Sequence, residues 1–218
     1  MKGERPGFSL VELIVVMGII VAVMVVGVSL FKQTGQGESR EAARSLILAG
    51  LNNAQTRALA SGESVAMVMT PYEQGRADEL GRSFTLFEVR QDDVTGEFVA
   101  GQQLRRWVQL PGRVIFSKGD TVSTEGQNAF DQSPVVSILV RDEEDAGKRT
   151  VAMPAIIFGG AGNVVWPAGG AELELHLTEG SVTDGARIGN GSEGEDWTQR
   201  EVFIIGRQTG RARYLKTL

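Results

Sequence analysis

Hydropathy divides the chain into three regimes. From Phe8 to Phe31 the sequence is apolar, with Glu12 as its only charged residue, and the 19 residues from Leu13 to Phe31 carry no charge at all. As a helix that uncharged run spans ~28 Å, close to the ~30 Å hydrocarbon core of a bilayer. It predicts a transmembrane helix over residues 8–31. The next stretch, Lys32-Gln33-Thr34-Gly35-Gln36-Gly37, is polar and holds two glycines, so a weak point or break in the helix is expected there. Helical periodicity then resumes. Ala43, Leu46, Ile47, Gly50, Leu51, Ala54, Ala58 and Leu59 recur at i, i+3, i+4 spacing and predict an amphipathic helix within 32–62, with Gly62 as its C-cap.

From Glu63 the period changes to that of strands punctuated by Gly, Pro and Asp. Candidate strands are "ESVAMVMT", "SFTLFEVRQ", "EFVAGQQLRRWVQL", "RVIFS", "PVVSILVR", "VAMPAIIFGGAGNVV", "AELELHLT" and "EVFIIGRQTGRARYL". "AELELHLT" alternates strictly, which predicts one buried and one wet face, with Glu174 and His176 on the wet one. Segments 140–149 and 183–200 read as solvated loops. The expected architecture is α+β. A long N-terminal helix, transmembrane in its first half and amphipathic in its second, is packed by an antiparallel β-sheet domain over 63–218.

Glu12 demands an explanation, because a lone ionised side chain in hydrocarbon costs at least a few kcal/mol. A secretory signal peptide has a shorter apolar core followed by a small-residue cleavage site, and Lys32-Gln33-Thr34-Gly35 offers none. A plain signal anchor accounts for the length but leaves the carboxylate without a role. Gly7, bare of a side chain, lets the chain approach a protease closely, and Lys2 and Arg5 hold the preceding residues in the cytoplasm. A cut after Gly7 would create an ammonium about one helical turn from Glu12.

Gly7-Phe8-Ser9-Leu10-Val11-Glu12-Leu13 resembles the opening of the type IV pilin and pseudopilin superfamily, G-F-[ST]-L-[IV]-E-L behind a short basic leader. The resemblance implies that residues 1–7 are a leader removed by prepilin peptidase between Gly7 and Phe8, and that the new N-terminus at Phe8 is methylated. It implies that Glu12 pairs with the terminal amine of a neighbouring subunit, fixing the axial register of packed helices, a use well suited to a buried ion pair. It places the protein in the bacterial inner membrane as a single-pass chain with its C-terminal domain in the periplasm, and then in a pilus or pseudopilus. Many pilins carry a proline near the end of the apolar run. Here none occurs between Gly7 and Thr70, so the helix is expected to be straighter or to loosen at Gly27.

Three further segments resemble the GspH/FimT subgroup of minor pilins and pseudopilins. They are Ala43-Arg44-Ser45-Leu46 leading to Ala58-x-x-x-Gly62-x-x-Val65, the strand-turn "AIIFGGAGNVV" and the closing "RQTGRARYLKTL". That resemblance implies a minor pseudopilin of a type II secretion-like system, whose partners are prepilin peptidase, other subunits and the inner membrane. The alternative it implies is a minor type IV pilin that binds DNA for uptake through Gly210-Arg211-Ala212-Arg213. If the tail is one strand, Arg207, Arg211 and Arg213 share a face, with Lys216 nearby and Tyr214 on the other side. Such cations would bind phosphates in a salt-sensitive, sequence-independent way; otherwise they guard an edge strand.

Composition narrows the chemistry. The net charge is −5, and loss of residues 1–7 leaves 20 basic and 26 acidic residues, or −6, so nucleic-acid binding requires a local patch. Cysteine is absent, which removes disulfides and thiolate metal sites. His176 is the only histidine, and "GGAGNVV" lacks the context of a nucleotide loop. Asp142, Glu143, Glu144 and Asp145 lack the spacing of a defined calcium loop and read as a solvated turn. Asn190-Gly191-Ser192 fits a glycosylation sequon. No enzymatic activity, cofactor, metal or small-molecule substrate is expected. A Gly7→Leu variant should retain residues 1–7 in intact-mass measurements on the protein from its native host, where the unsubstituted chain is trimmed to start at methylated Phe8.

Overall fold

The structure is a computed structural model that describes residues 10–73, 79–118, 126–132, 135–141, 148–183, 186–189 and 200–216. At 10–15, 18, 21–37, 139–141, 148, 149, 183, 186–189 and 216 it describes the main chain alone. Two compact units are formed, Met1–Ser39 and Arg40–Leu218. Helix α1 runs over Leu10–Ser61 as one element, where a break at 32–37 was expected. A glycine inside a helix costs only about 1 kcal/mol relative to alanine, too little on its own to end one. Among the described residues no helix is long and apolar enough to cross a membrane. Most side chains of the expected span 8–31 lie outside the described residues.

The larger unit holds the C-terminal part of α1 and the strands. In chain order these are β1 (Val65–Met69), β2 (Ser83–Gln91), β3 (Phe98–Gln103), β4 (Val108–Gln109), β5 (Val114–Phe116), β6 (Gln127–Asn128) and β7 (Val136–Arg141). There follow β8 (Lys148–Met153), β9 (Ala155–Phe158), β10 (Val164–Trp166), β11 (Leu173–Thr183), β12 (Ala186–Gly189), β13 (Glu201–Ile205) and β14 (Ala212–Lys216). They make two sheets rather than the single antiparallel one expected. The first has the order β10-β9-β1-β2-β3-β7-β8, with β4 also on β2. The second has the order β12-β11-β13-β14, with β5 and β6 also on β11. Among the described residues two pairings are parallel, β3 with β7 and β6 with β11.

The helix face explains the closure. Ala43, Ile47, Leu51, Ala54 and Ala58 are fully buried, and they share one cluster with β1, β9, β11 and β13 side chains. The face is narrow because small residues dominate it. A Cβ on Gly50 would sit 2.7 Å from the Phe84 ring, so the missing side chain is what admits that ring. Leu59, placed on this face by periodicity, is exposed instead, and Leu46 is only partly buried. Gly62 ends the helix with φ +74° and donates its N–H to Ala58 O at 2.9 Å. On β1, Val65, Met67 and Met69 face α1, while Ala66 and Val68 face a second cluster with Val136, Ile138, Val151 and Met153 of β7 and β8. The first sheet is therefore buried on both sides at β1.

Loop expectations also shift. Segment 183–200 contains β12, and β7 and β8 enter 140–149 from either side. "EFVAGQQLRRWVQL" is two strands, not one, separated at 104–107.

The wet face predicted for β11 is dry. Glu174 is 6% exposed and His176 1%, and His176 Nε2 lies 2.6 Å from Glu174 Oε2. At Glu174 the two-residue β6 pairs in parallel with β11 and sets Asn128 beside it. Gly126 lies so close that a Cβ there would meet the Glu174 carboxyl at 2.2 Å. Alternation gave the face of each residue correctly but could not foresee a two-residue strand laid alongside. His176→Leu would leave the Glu174 carboxyl buried without its partner. It should cost about 1–3 kcal/mol in denaturant unfolding of the full chain. Glu174→Leu combined with His176→Leu should recover much of that loss.

Candidate functional site at the carboxy-terminal hairpin

The arginines that pointed to nucleic acid sit on a hairpin, not on one strand. β13 and β14 pair antiparallel, with Ile204 opposite Arg213 and Phe203 opposite Tyr214. Between them residues 206–211 form a turn in which Gly206 N donates to Arg211 O at 2.9 Å and Gly210 N to Gly206 O at 2.6 Å. Arg207 therefore does not share a strand face with Arg211 and Arg213. Its guanidinium is turned into the protein, where Nε donates to Ala171 O at 2.5 Å, Nη1 to Pro167 O and Nη2 to Gln127 Oε1. Burial lowers its pKa from the ordinary arginine value. A shallow cleft of about 270 Å³ borders the turn beside Ala171, Glu172 and Gln208, but the Arg207 donors there are already engaged.

Gly210 is structural. Its φ is +63°, and a Cβ on it would sit 2.0 Å from Gly162 O. A Cβ on Gly160 would sit 2.1 Å from Gly62 O. The helix end, the β9–β10 turn and the β13–β14 turn thus meet main chain to main chain. Gln55 of α1 secures the meeting by donating to Gly162 O at 3.2 Å and to Thr209 O. Val164 N, on the first sheet, donates to Arg207 O, on the second hairpin, at 2.7 Å. Sequence reasoning overlooked Gln55, whose only signal is a polar residue beside the apolar stripe of α1.

Arg211 is exposed, and its side chain has no partner among the described residues. Arg213 is 70% exposed and 3.6 Å from Glu172, itself 63% exposed, a pair worth little in water. Lys216 belongs to β14, and its side chain lies outside the described residues. Tyr214 faces inward as expected, beneath Arg44 of α1. The Arg44 guanidinium sits 3.9 Å from the Tyr214 ring centroid and donates twice to Glu201 at 3.1 Å. The hydrogen bond to Glu201 raises the Arg44 pKa, and burial raises that of Tyr214. Arg40 donates to Glu179 at 2.6 Å.

Two crystal structures of the type IV minor pilin FimU of Pseudomonas aeruginosa PAO1 are similar to this chain. The first is 16% identical with a TM-score of 0.42, covering 84% of this chain and 92% of that one. The second, in another crystal form, is 14% identical with a TM-score of 0.39, covering 82% and 93%. No protein-family model and no curated protein matches the sequence.

Of the other residues singled out, Gly7 and Phe8 lie outside the described residues, and Glu12 is described only as main chain of α1. Asp142 to Asp145 and Asn190 to Ser192 also lie outside. Among the described residues no three His, Cys, Asp or Glu side chains gather as a metal site. Arg207→Ala should destabilise the full chain by about 1–2 kcal/mol through its three lost, partly shielded hydrogen bonds, whereas Arg211→Ala should stay within about 0.5 kcal/mol. Denaturant unfolding of the two variants checks both.

Proposed function

We propose that the protein is a minor pilin-like filament subunit, processed by prepilin peptidase and held in the inner membrane by α1 until it is assembled. The observation that carries this reading is the run Gly7 to Leu13, which matches the prepilin pattern at every position and leads directly into α1. Support comes from the helix surface: Val16, Met17, Ile19 and Ile20 are exposed large apolar residues in the single chain. A contiguous apolar surface of this kind marks a site of contact with lipid or another protein. The finer assignment is a pseudopilin of a type II secretion-like system, which needs no ligand beyond other subunits.

DNA uptake through the tail is the second reading, favoured by the unpartnered, exposed Arg211. It is the weaker one, because Arg207 holds the turn together and Arg213 neighbours a carboxylate, which leaves few free cations for phosphate. Filament assembly requires Glu12 to meet an ammonium in a dry environment, and so predicts a separable phenotype. Glu12→Ala should be cleaved and methylated normally yet drop at least about tenfold in the sheared-filament fraction. Normal incorporation of this variant would overturn the reading.

A further inference from the structure

The 21 residues from Phe98 to Lys118 contain Arg105, Arg106, Arg113 and Lys118 and no acidic residue, in a chain whose net charge is −5. Lys118 is engaged by Glu73 at 2.6 Å. Arg105, Arg106 and Arg113 have no carboxylate partner among the described residues; Arg106 and Arg113 are exposed and Arg105 half-buried. Between these arginines stands Trp107, which is exposed.

The fold holds this segment out deliberately. Leu104 and Val108 pack against the core on either side of Arg105, Arg106 and Trp107. The main chain is anchored at both ends. Leu104 N donates to Leu86 O at 2.8 Å, and Leu110 N donates to Arg82 O at 2.7 Å. Between them Thr85 Oγ1 donates to Arg105 O at 2.5 Å, and β4 pairs with the start of β2. After β4 the chain turns at Gly112, φ +62°, and Arg113 O accepts from Gly180 N at 2.8 Å. Gln102 is exposed on the same segment, while the Gln103 amide donates to Thr85 Oγ1 at 3.1 Å.

An exposed tryptophan normally costs solubility, and unpaired arginines beside it add like-charge repulsion. Together they suit a polyanion that also carries flat apolar faces. We propose that the segment Gln102–Arg113 binds single-stranded nucleic acid, with Arg105, Arg106 and Arg113 each on a phosphate of the strand and Trp107 stacked on an unpaired base. Stacking on an aromatic and tracking of the backbone by cations are the two general elements of such sites. A duplex offers the phosphates but keeps its bases stacked on each other, so it should bind less tightly. The site is separate from the carboxy-terminal arginines and does not depend on assembly into a filament.

The test uses the full chain in detergent with a fluorescent single-stranded oligonucleotide, and follows anisotropy across a salt series. Three phosphate contacts give a log–log slope of about −2, because single strands contribute roughly −0.7 per contact. Arg105→Ala combined with Arg106→Ala should reduce the slope to about −0.7. Trp107→Ala should weaken binding at least about fivefold without changing the slope. Arg211→Ala should leave both unchanged, and thermal unfolding of each variant confirms that the surface changes leave the fold intact. Absence of binding at low salt overturns the proposal, as does binding that survives loss of Arg106 and Trp107 but not of Arg211. Tryptophan emission that is quenched by brominated phosphatidylglycerol in mixed micelles in the unsubstituted chain but not in Trp107→Phe, and that is silent to the oligonucleotide, overturns it in favour of a lipid surface.

Discussion

The β domain depends on one narrow helix face. From Ala43 to Ala58 the buried positions of α1 are Ala43, Ile47, Gly50, Leu51, Ala54 and Ala58, and the small ones let sheet side chains approach the helix closely. Phe84 enters where Gly50 has no side chain, and strands of both sheets contribute to the same cluster. A bulkier face would hold the sheets off and open cavities in a core that has no slack. The polar margin of that part of the helix adds direction. Arg40 and Arg44 bind Glu179 and Glu201 of the second sheet, and Gln55 binds two turns at the opposite end.

That arrangement gives the short motifs a physical meaning. Gly62, Gly162 and Gly210 lie far apart in sequence. In space they meet at one junction, where the carbonyls of Gly62 and Gly162 occupy the room that Cβ atoms on Gly160 and Gly210 would need. The glycine of the Gly-Arg-x-Arg pattern is accordingly a packing residue, and Arg207 beside it closes the turn. Within this hairpin Arg211 and Arg213 are the exposed arginines.

Much of this was legible in the chain. Helix periodicity located the buried stripe from Ala43 to Ala58, and the strand reading assigned β2 to its observed bounds. What local patterns could not supply was long-range company. Two-residue β6 pairs beside Glu174 of β11, and its sequence, Gln127-Asn128, carries no strand signal. The division of strands into two sheets likewise follows from pairings across most of the chain. The polar, glycine-bearing segment at 32–37 read as a break because glycine propensity was weighed alone, without the continuity of the helical ladder on either side. Arg207 looked like a strand residue because the turn that captures it, Gln208-Thr209, has neither proline nor asparagine to announce it.

If the exposed apolar side of α1 near Val16 and Ile20 is a subunit contact, it must touch other subunits in living cells. The native chain has no cysteine, so single substitutions to cysteine along 14–30, paired with cysteines introduced in co-assembled subunits, report those contacts without background. The most direct measurement is the pattern of disulfide cross-links formed in cells with the assembly system present. A filament subunit gives heteromeric cross-links that recur with helical periodicity, Val16 and Ile20 among the strongest, and that vanish without the assembly system. A chain that cross-links at no position along this run, with its processing intact, contradicts a role in the filament.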